Sequence, residues 1–481
     1  MASVMRGPQL ARLLGDWHAR PGAGRTPDYA ALAAAVRGLL ADGRLPPGVR
    51  LPAERELAAA LRISRTTVSA AYRQLRGSGH LHSRRGAGSW TSLPGGYRLG
   101  SAGLWAPTDE VDMLDLAQAA LAAPPQLAEA AGKAVADLSR YADGAGYHPM
   151  GISELRERVA EAYTRRGLPT AVEQVMITNG VQHALDLLLR MLVSPGAAVL
   201  VEAPTYPNSL AAFAAHRTRV STHGLDLATG WDEDLLLDTL RRGRPRLAYL
   251  IADFQNPTGH LMDSRLRERL AAAAHTAGTD LVVDESFVEL PLDDVEMPPP
   301  VASFDRHSRV LSIGGMSKPY WGGLRVGWVR ASAPLVQRLA AARVGADLAS
   351  PVLDQLVATH LWEHASEIIT ARRGQLRQRR DTLVAALRAE VPRWRFVVPA
   401  GGPTMWVELD GPVSTALARA AQRLGVRLAP GPRFGLDGTL ERFLRLPFTL
   451  APGDLTEAVH RLAAASLDLT RPADLERVDV V

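Results

Sequence analysis

Ser312-Ile313-Gly314-Gly315-Met316-Ser317-Lys318-Pro319-Tyr320-Trp321-Gly322-Gly323-Leu324-Arg325 decides the reading of this chain. An apolar strand runs into a glycine-rich turn that carries one of only two lysines among 55 basic residues; the other is Lys133. Arginine replaces lysine wherever charge alone is needed, but a guanidinium offers no free amine for a Schiff base. A chain that has shed lysine and keeps this one points to an amine in covalent work. Lys133, on a helical stretch, reads as an ordinary surface residue.

Working outward, apolar runs at 174–178, 198–202, 247–252, 281–284 and 310–313 alternate with helical patterns such as 181–193 and 264–274. Strands spaced by helices predict right-handed βαβ units and a mainly parallel α/β sheet. Residues from about 370 onward predict a smaller unit of helices and short strands. Several strand ends carry residues suited to a phosphate-bearing pyridine. Thr178-Asn179-Gly180-Val181-Gln182 ends a strand and opens a helix, presenting backbone N–H groups to a phosphate. Asn256 follows another strand, as an amide donor to a ligand or as a turn cap. Asp284 ends the run Leu281-Val282-Val283, either as a helix cap or as the anion that keeps a pyridine nitrogen protonated. Tyr206 stacks on a ring or fills core.

Composition narrows the classes. The 481 residues are 47% hydrophobic and 22% charged, enough to bury a core and too apolar for disorder. Cysteine is absent, which excludes disulfides, thiol catalysis and cysteine-ligated metals; no metal site is expected. No apolar run approaches the ~18 residues of a membrane span, and the N-terminus has no apolar h-region. A soluble, cytoplasmic protein is the expectation. The net charge of +5 is uneven: residues 1–98 hold fifteen arginines against five acids, while the remainder is net acidic. A basic module aimed at a polyanion, joined to a body that is not, explains that split.

That module, 1–93 with a core at about 27–92, predicts three helices and a hairpin. Leu32, Val36, Leu39 and Leu40 line one face of a first helix. Leu57, Ala58 and Leu61 line a short second. Ser64 caps a third, in which Val68, Ala71, Tyr72 and Leu75 turn inward and Arg65, Thr66 and Ser69 outward. Two strands then flank Arg84-Arg85-Gly86-Ala87-Gly88. The pattern is a mainly α winged helix-turn-helix. Arg50, Arg55 and Arg65 are placed for phosphates, Thr66 and Thr67 for groove edges, and Arg84 for a minor groove. A glycine-, serine- and proline-rich linker, 94–111, leads to the body, 112–481.

Leu51-Pro52-Ala53-Glu54-Arg55-Glu56-Leu57-Ala58 and Ile63-Ser64-Arg65-Thr66-Thr67-Val68 resemble the GntR superfamily signature. The motifs of the body appear in the order of the fold-type I, class I and II aminotransferases. The combined layout resembles the MocR-type transcriptional regulators, with the YczR-like branch as one candidate placement. The resemblance implies that Lys318 bonds pyridoxal 5′-phosphate, Asp284 pairs the pyridine nitrogen, Asn256 donates to the ring oxygen and Tyr206 stacks. Gly180, Val181, Gln182, Ser317 and Arg325 would surround the phosphate, and Arg445 would grip an effector carboxylate. It further implies a homodimer on double-stranded operator DNA and an amine or amino-acid effector; an active aminotransferase carrying a DNA-binding module is the alternative. The chain departs from the family pattern in three respects. Ser286 and Phe287 stand where a tyrosine is usual, Gly315 where serine is frequent, and Tyr147 only approximates an expected tyrosine. One lost hydrogen bond to a charged group removes about 1.5–3 kcal/mol, so cofactor binding should survive and transamination should suffer.

Overall fold

The computed structural model describes residues 4–17, 27–84, 88–93 and 113–470. The expected linker and the wing-tip Arg85 lie outside those residues, and of Arg84 only the backbone is described.

The N-terminal module, hereafter the reader, contains helices Gly7–Leu14, Asp28–Ala41, Glu54–Leu61 and Arg65–Gly77, then strands Leu81–Arg84 and Gly88–Thr91. The strands pair antiparallel with Leu81 opposite Thr91. Leu32, Val36, Leu40, Leu57, Val68, Tyr72 and Leu75 are the buried stripes of three helices and form one core. The Tyr72 hydroxyl, buried with them, donates to the Pro52 carbonyl at 3.0 Å. Ser64 caps the recognition helix Arg65–Gly77 through a bond from the Thr67 amide. Helix Gly7–Leu14 was not expected. It adds Leu10 and Leu14 to the core and donates the Gly7 amide to Glu56 at 2.7 Å. Its leucines at 10, 13 and 14 span little more than one turn, too short a window for periodicity.

In the body, eight strands lie in the spatial order Val175–Thr178, Gly327–Arg330, Val310–Gly315, Asp280–Asp284, Leu247–Leu250, Ala198–Ala203, Arg219–Asp226 and Gly230–Trp231. The five from Val310–Gly315 to Arg219–Asp226 pair in parallel, while Gly327–Arg330 is antiparallel to both neighbours. Helices cover both faces, so the central strands are buried throughout and read as continuous apolar runs. A second sheet orders Arg395–Phe396, Thr404–Glu408, Phe443–Pro447, Val426–Pro430 and Leu114–Leu116. Leu114–Leu116 enters it parallel to Val426–Pro430. The smaller unit thus uses a segment from the start of the body as well as its end, a strand too short to read from sequence. Helices Ala365–Glu390 and Pro452–Thr470 close its apolar face through Leu376, Leu383, Leu387, Leu455 and Leu462. No helix among the described residues is long and apolar enough to cross a membrane.

Candidate functional site

Parallel strands deliver their C-terminal ends to one edge of a sheet, where α/β proteins place ligands. Here the residues after those ends wall a cavity of about 600 Å³ whose lining includes Val181, Gln182, Tyr206, Asn256, Asp284, Ser317, Lys318 and Arg325. Residues scattered over 145 positions of sequence therefore meet at one place. Gly180 stands just behind the wall with φ 85°, and a Cβ there would lie 2.6 Å from Arg325 Nη2. Glycine is required on both counts. Helix Val181–Leu192 begins there, with no side chain capping it. Val181 and Gln182 at its start, Ser317 and Arg325 all line the cavity, a set of donors suited to a phosphate. Gly315 now has a reason: a Cβ would sit 2.9 Å from Val181 Cγ2 and 3.0 Å from the Val326 carbonyl.

At the centre, Lys318 Nζ donates to the Ala119 carbonyl at 2.8 Å. Burial, followed by the positive charges of Arg445 and Arg325, pushes its amine down to about 8, with Asp284 opposing. A lysine so depressed is partly neutral near physiological pH, as a nucleophilic amine must be. Asp284 is buried and accepts three hydrogen bonds. The Tyr249 hydroxyl donates to Oδ2 at 2.7 Å, and Ser286 donates its amide and its hydroxyl to Oδ1 at 2.9 and 2.6 Å. Burial raises this carboxyl, while the bonds from Ser286 and Tyr249 hold it toward the charged form. Tyr249 escaped the sequence reading because it sits inside the apolar run 247–250. The signal was available: a tyrosine in a central parallel strand must find a partner for its hydroxyl, and the next strand ends in a carboxylate.

Ser286 and Phe287 both line the cavity, but Ser286 spends its donors on Asp284, and Phe287 is a buried ring packed with the core of the smaller unit. Neither supplies a phenol. Tyr206 lines the cavity with its hydroxyl accepting from Asn208 Nδ2 at 2.7 Å. Asn256 Oδ1 and Gln182 Oε1 are buried without hydrogen-bond partners. Arg445 is not in the wall. It lies buried behind residues 117–121, donates Nη2 to the Ala117 carbonyl, and stacks its guanidinium 4.9 Å from the Phe434 ring centroid. Burial lowers it to about 10. Tyr147 is 66% exposed and stands apart from the cavity.

The reader presents a separate basic face. Arg50, Arg55, Arg65, Thr66 and Arg73 are exposed. Arg65 is tethered to Glu54 at 3.6 Å with its side chain still 59% exposed. The Thr66 and Thr67 hydroxyls both bond to Ser64 Oγ, at 2.7 and 2.8 Å, so they belong to the capping turn. The Arg50 guanidinium lies along the wing strand, where a Cβ on Gly88 would come within 2.6 Å of its Nε.

Residues 111–462 match the family described as aminotransferase class I and II, and residues 28–90 match bacterial regulatory proteins of the gntR family. The chain is 33% identical to 2-aminoadipate transaminase of Thermus thermophilus over 68% of its own length and 81% of that protein. It is 27% identical to an uncharacterised HTH-type transcriptional regulator of Escherichia coli, YdcR, over 87% of this chain and 94% of the relative. Among solved structures it is similar to the Thermus thermophilus α-aminoadipate aminotransferase complexed with N-(5′-phosphopyridoxyl)-L-leucine, with TM-score 0.68 and 34% identity over 75% and 93% of the two chains. Fold and relatives imply pyridoxal phosphate as cofactor, and the cavity fits it: the glycine cradle beside Arg325, the Asn256 amide in the wall, the Asp284 carboxylate held by Tyr249 and the depressed lysine are the groups it needs. The chain belongs to the class I and II aminotransferase family and joins that body to a gntR-family DNA-binding module, the layout of the MocR-type transcriptional regulators.

Proposed function

We propose that this protein is a cytoplasmic, homodimeric transcriptional regulator that senses pyridoxal phosphate, or an amine or amino acid exchanging onto it, at Lys318. When bound, the cofactor would supply an aldehyde reactive toward amines, and Lys318 is the protein's amine placed to hold it. The protein's own groups set which amine wins. Val181, Gln182, Ser317 and Arg325 anchor the phosphate, Tyr206 stacks and Asn256 donates to the ring oxygen. Asp284, which Tyr249 and Ser286 hold toward its charged form against the effect of burial, would pair the pyridine nitrogen. Arg445 offers a bidentate fork to a carboxylate once its bond to Ala117 is exchanged. On the reader, Arg50, Arg55, Arg65 and Arg84 take phosphates or the minor groove, and Thr66 and Thr67 frame the turn that enters the major groove. The observation that carries this reading is position 287. A buried phenylalanine beside the Ser286–Asp284 pair leaves the site able to hold a ligand and short of the phenol that tunes proton transfer.

A second reading, an active aminotransferase bearing a reader, is favoured by the depressed Lys318 amine. Absorbance spectroscopy with a panel of amino acids separates the two. A regulator gives a spectral shift that saturates without product. Sustained conversion of amino donor and 2-oxo acid selects the enzyme. In either case Lys318→Arg should abolish the visible band of the bound cofactor while the fold persists, and a band that survives in that variant would remove Lys318 from its role.

A further inference from the structure

The reader sits against its own body through a contact far from its DNA face. The C-terminal end of helix Asp28–Ala41 gives its Ala41 carbonyl to the Leu440 amide at 2.6 Å. Next to it, Asp42 meets Arg442 at 3.5 Å and Arg44 meets Asp226 at 3.3 Å. Gly224 is a notch beneath this turn: a Cβ there would fall 2.6 Å from Arg44 Cα and 2.7 Å from the Gly43 carbonyl. Gln9, on the first helix, donates to Asp238 at 3.0 Å. Charge pairs of both senses thus cross the contact, Arg44 with Asp226 and Asp42 with Arg442, and Arg65 and Thr66 stay exposed while the reader is docked.

Behind the contact lies a short route to the cavity. Leu440 is buried with φ 72°, a left-handed conformation that leucine rarely adopts. Its backbone is held at both ends, the amide on the Ala41 carbonyl and the carbonyl on the Phe443 amide at 2.9 Å, and the carbonyl presses so close on Gly431 that a Cβ there would lie 2.0 Å away. Strained, buried residues of this kind gather where a structure has a functional reason to hold them. Leu440 packs in one cluster with Phe434, Trp406 and Phe443. The Phe434 ring lies under Arg445, and its carbonyl accepts the Thr205 amide at 2.9 Å, one residue from Tyr206. On the reader side, helix Asp28–Ala41 shares its core with the recognition helix through Leu32, Val36, Val68, Tyr72 and Leu75.

We infer that this contact is the protein's coupling interface. The body surface formed by Gly224, Asp226 and Leu440 docks the reader of the same chain, and the 431–440 segment carries ligand occupancy from Arg445 and Tyr206 to the recognition helix. The inference rests on the regulator reading above. Coupling of this kind is a shared free energy between two sites, and it is established by perturbing the element between them.

Gly224→Val is the wedge. The residue lies in strand Arg219–Asp226 with no left-handed φ, so valine suits the backbone, and the three atoms nearest its Cβ all belong to the docked reader. Arg44→Glu is the second variant, a surface change that sets two acids face to face at Asp226. Each variant is titrated with operator DNA, with and without a saturating amino acid, alongside the cofactor spectrum. Docking is read separately in Gln9→Cys/Asp238→Cys, the only thiols in an otherwise cysteine-free chain, with a short bismaleimide. The wild type should change operator affinity on the order of fivefold or more with ligand. Both variants should keep the cofactor spectrum and ligand-free operator binding yet respond about onefold, and the cross-link should form within one chain and weaken in Gly224→Val. Variants that respond like a responsive wild type, or a cross-link that joins two chains, overturn the inference. A wild type that ignores ligand altogether overturns the regulator reading instead, and the coupling role with it.

Discussion

Tyr249→Phe removes one oxygen from the interior of the body and tests how Asp284 is kept ready. The hydroxyl is fully buried and donates to Asp284 Oδ2 at 2.7 Å, while Ser286 holds the other oxygen. A hydrogen bond to a buried charged acceptor is worth about 1.5–3 kcal/mol. Water cannot replace the lost donor, so little of that is recovered by solvation. The phenyl ring keeps its packing against Phe213, 5.8 Å away centroid to centroid, so the loss falls on the carboxylate. A carboxyl already raised by burial then rises further and binds the protonated pyridine less well. At about 1.4 kcal/mol per factor of ten, pyridoxal phosphate should bind about 10- to 150-fold more weakly. The assay is absorbance titration of cofactor into apoprotein at several pH values, with circular dichroism as the control for folding. The weakening should be greatest at the acid end, where the raised carboxyl is protonated. An affinity within twofold of wild type across the range would refute the claim that Tyr249 holds Asp284 in its charged form.

The pH at which apoprotein takes up cofactor follows the lysine. With Lys318 lowered to about 8, the rate should climb as pH rises through about 8, and Arg445→Met, which removes a positive neighbour, should move that midpoint upward; an unmoved midpoint separates the two residues. Gly180→Ala imposes a side chain on φ 85° and on Arg325 Nη2 at 2.6 Å. It should weaken cofactor binding by displacing Arg325, which dialysis against cofactor measures, and lower stability by roughly 1–3 kcal/mol, because φ 85° with ψ 171° is a conformation essentially confined to glycine. Arg65→Ala should reduce operator affinity and flatten the log–log salt dependence by about one unit while leaving the cofactor spectrum unchanged; a loss of both would mean that reader and body do not work as separate units.

What the chain disclosed in advance followed from local chemistry. Lys318 stood out because arginine had taken nearly every other cationic position, and Asp284 and Asn256 because they follow apolar runs that had to be strands. Helix faces such as Val68–Ala71–Tyr72–Leu75 were visible because a 3.6-residue period repeats within a few turns. What stayed hidden depends on partners remote in sequence. Tyr249 looks like core until Asp284 is seen on the next strand. Strand Arg219–Asp226 lacks a continuous apolar run because its residues alternate between partly exposed and buried. Gly224 looks like any strand glycine until the backbone of Arg44, 180 positions earlier in the chain, is seen resting on it. Phe287 was noticed as a departure, but only the structure showed that Ser286 had turned to the carboxylate.

The central claim is that one chain couples an amine-responsive cofactor site to a DNA reader, and a single titration addresses it. Operator affinity is measured for the wild-type, cofactor-loaded protein while each of a panel of amino acids is added, with product formation followed in the same samples. The account predicts that at least one amino acid changes the operator Kd on the order of fivefold or more without sustained turnover. An operator Kd indifferent to every ligand and to the cofactor, together with continuous conversion of amino acid to 2-oxo acid, would contradict it.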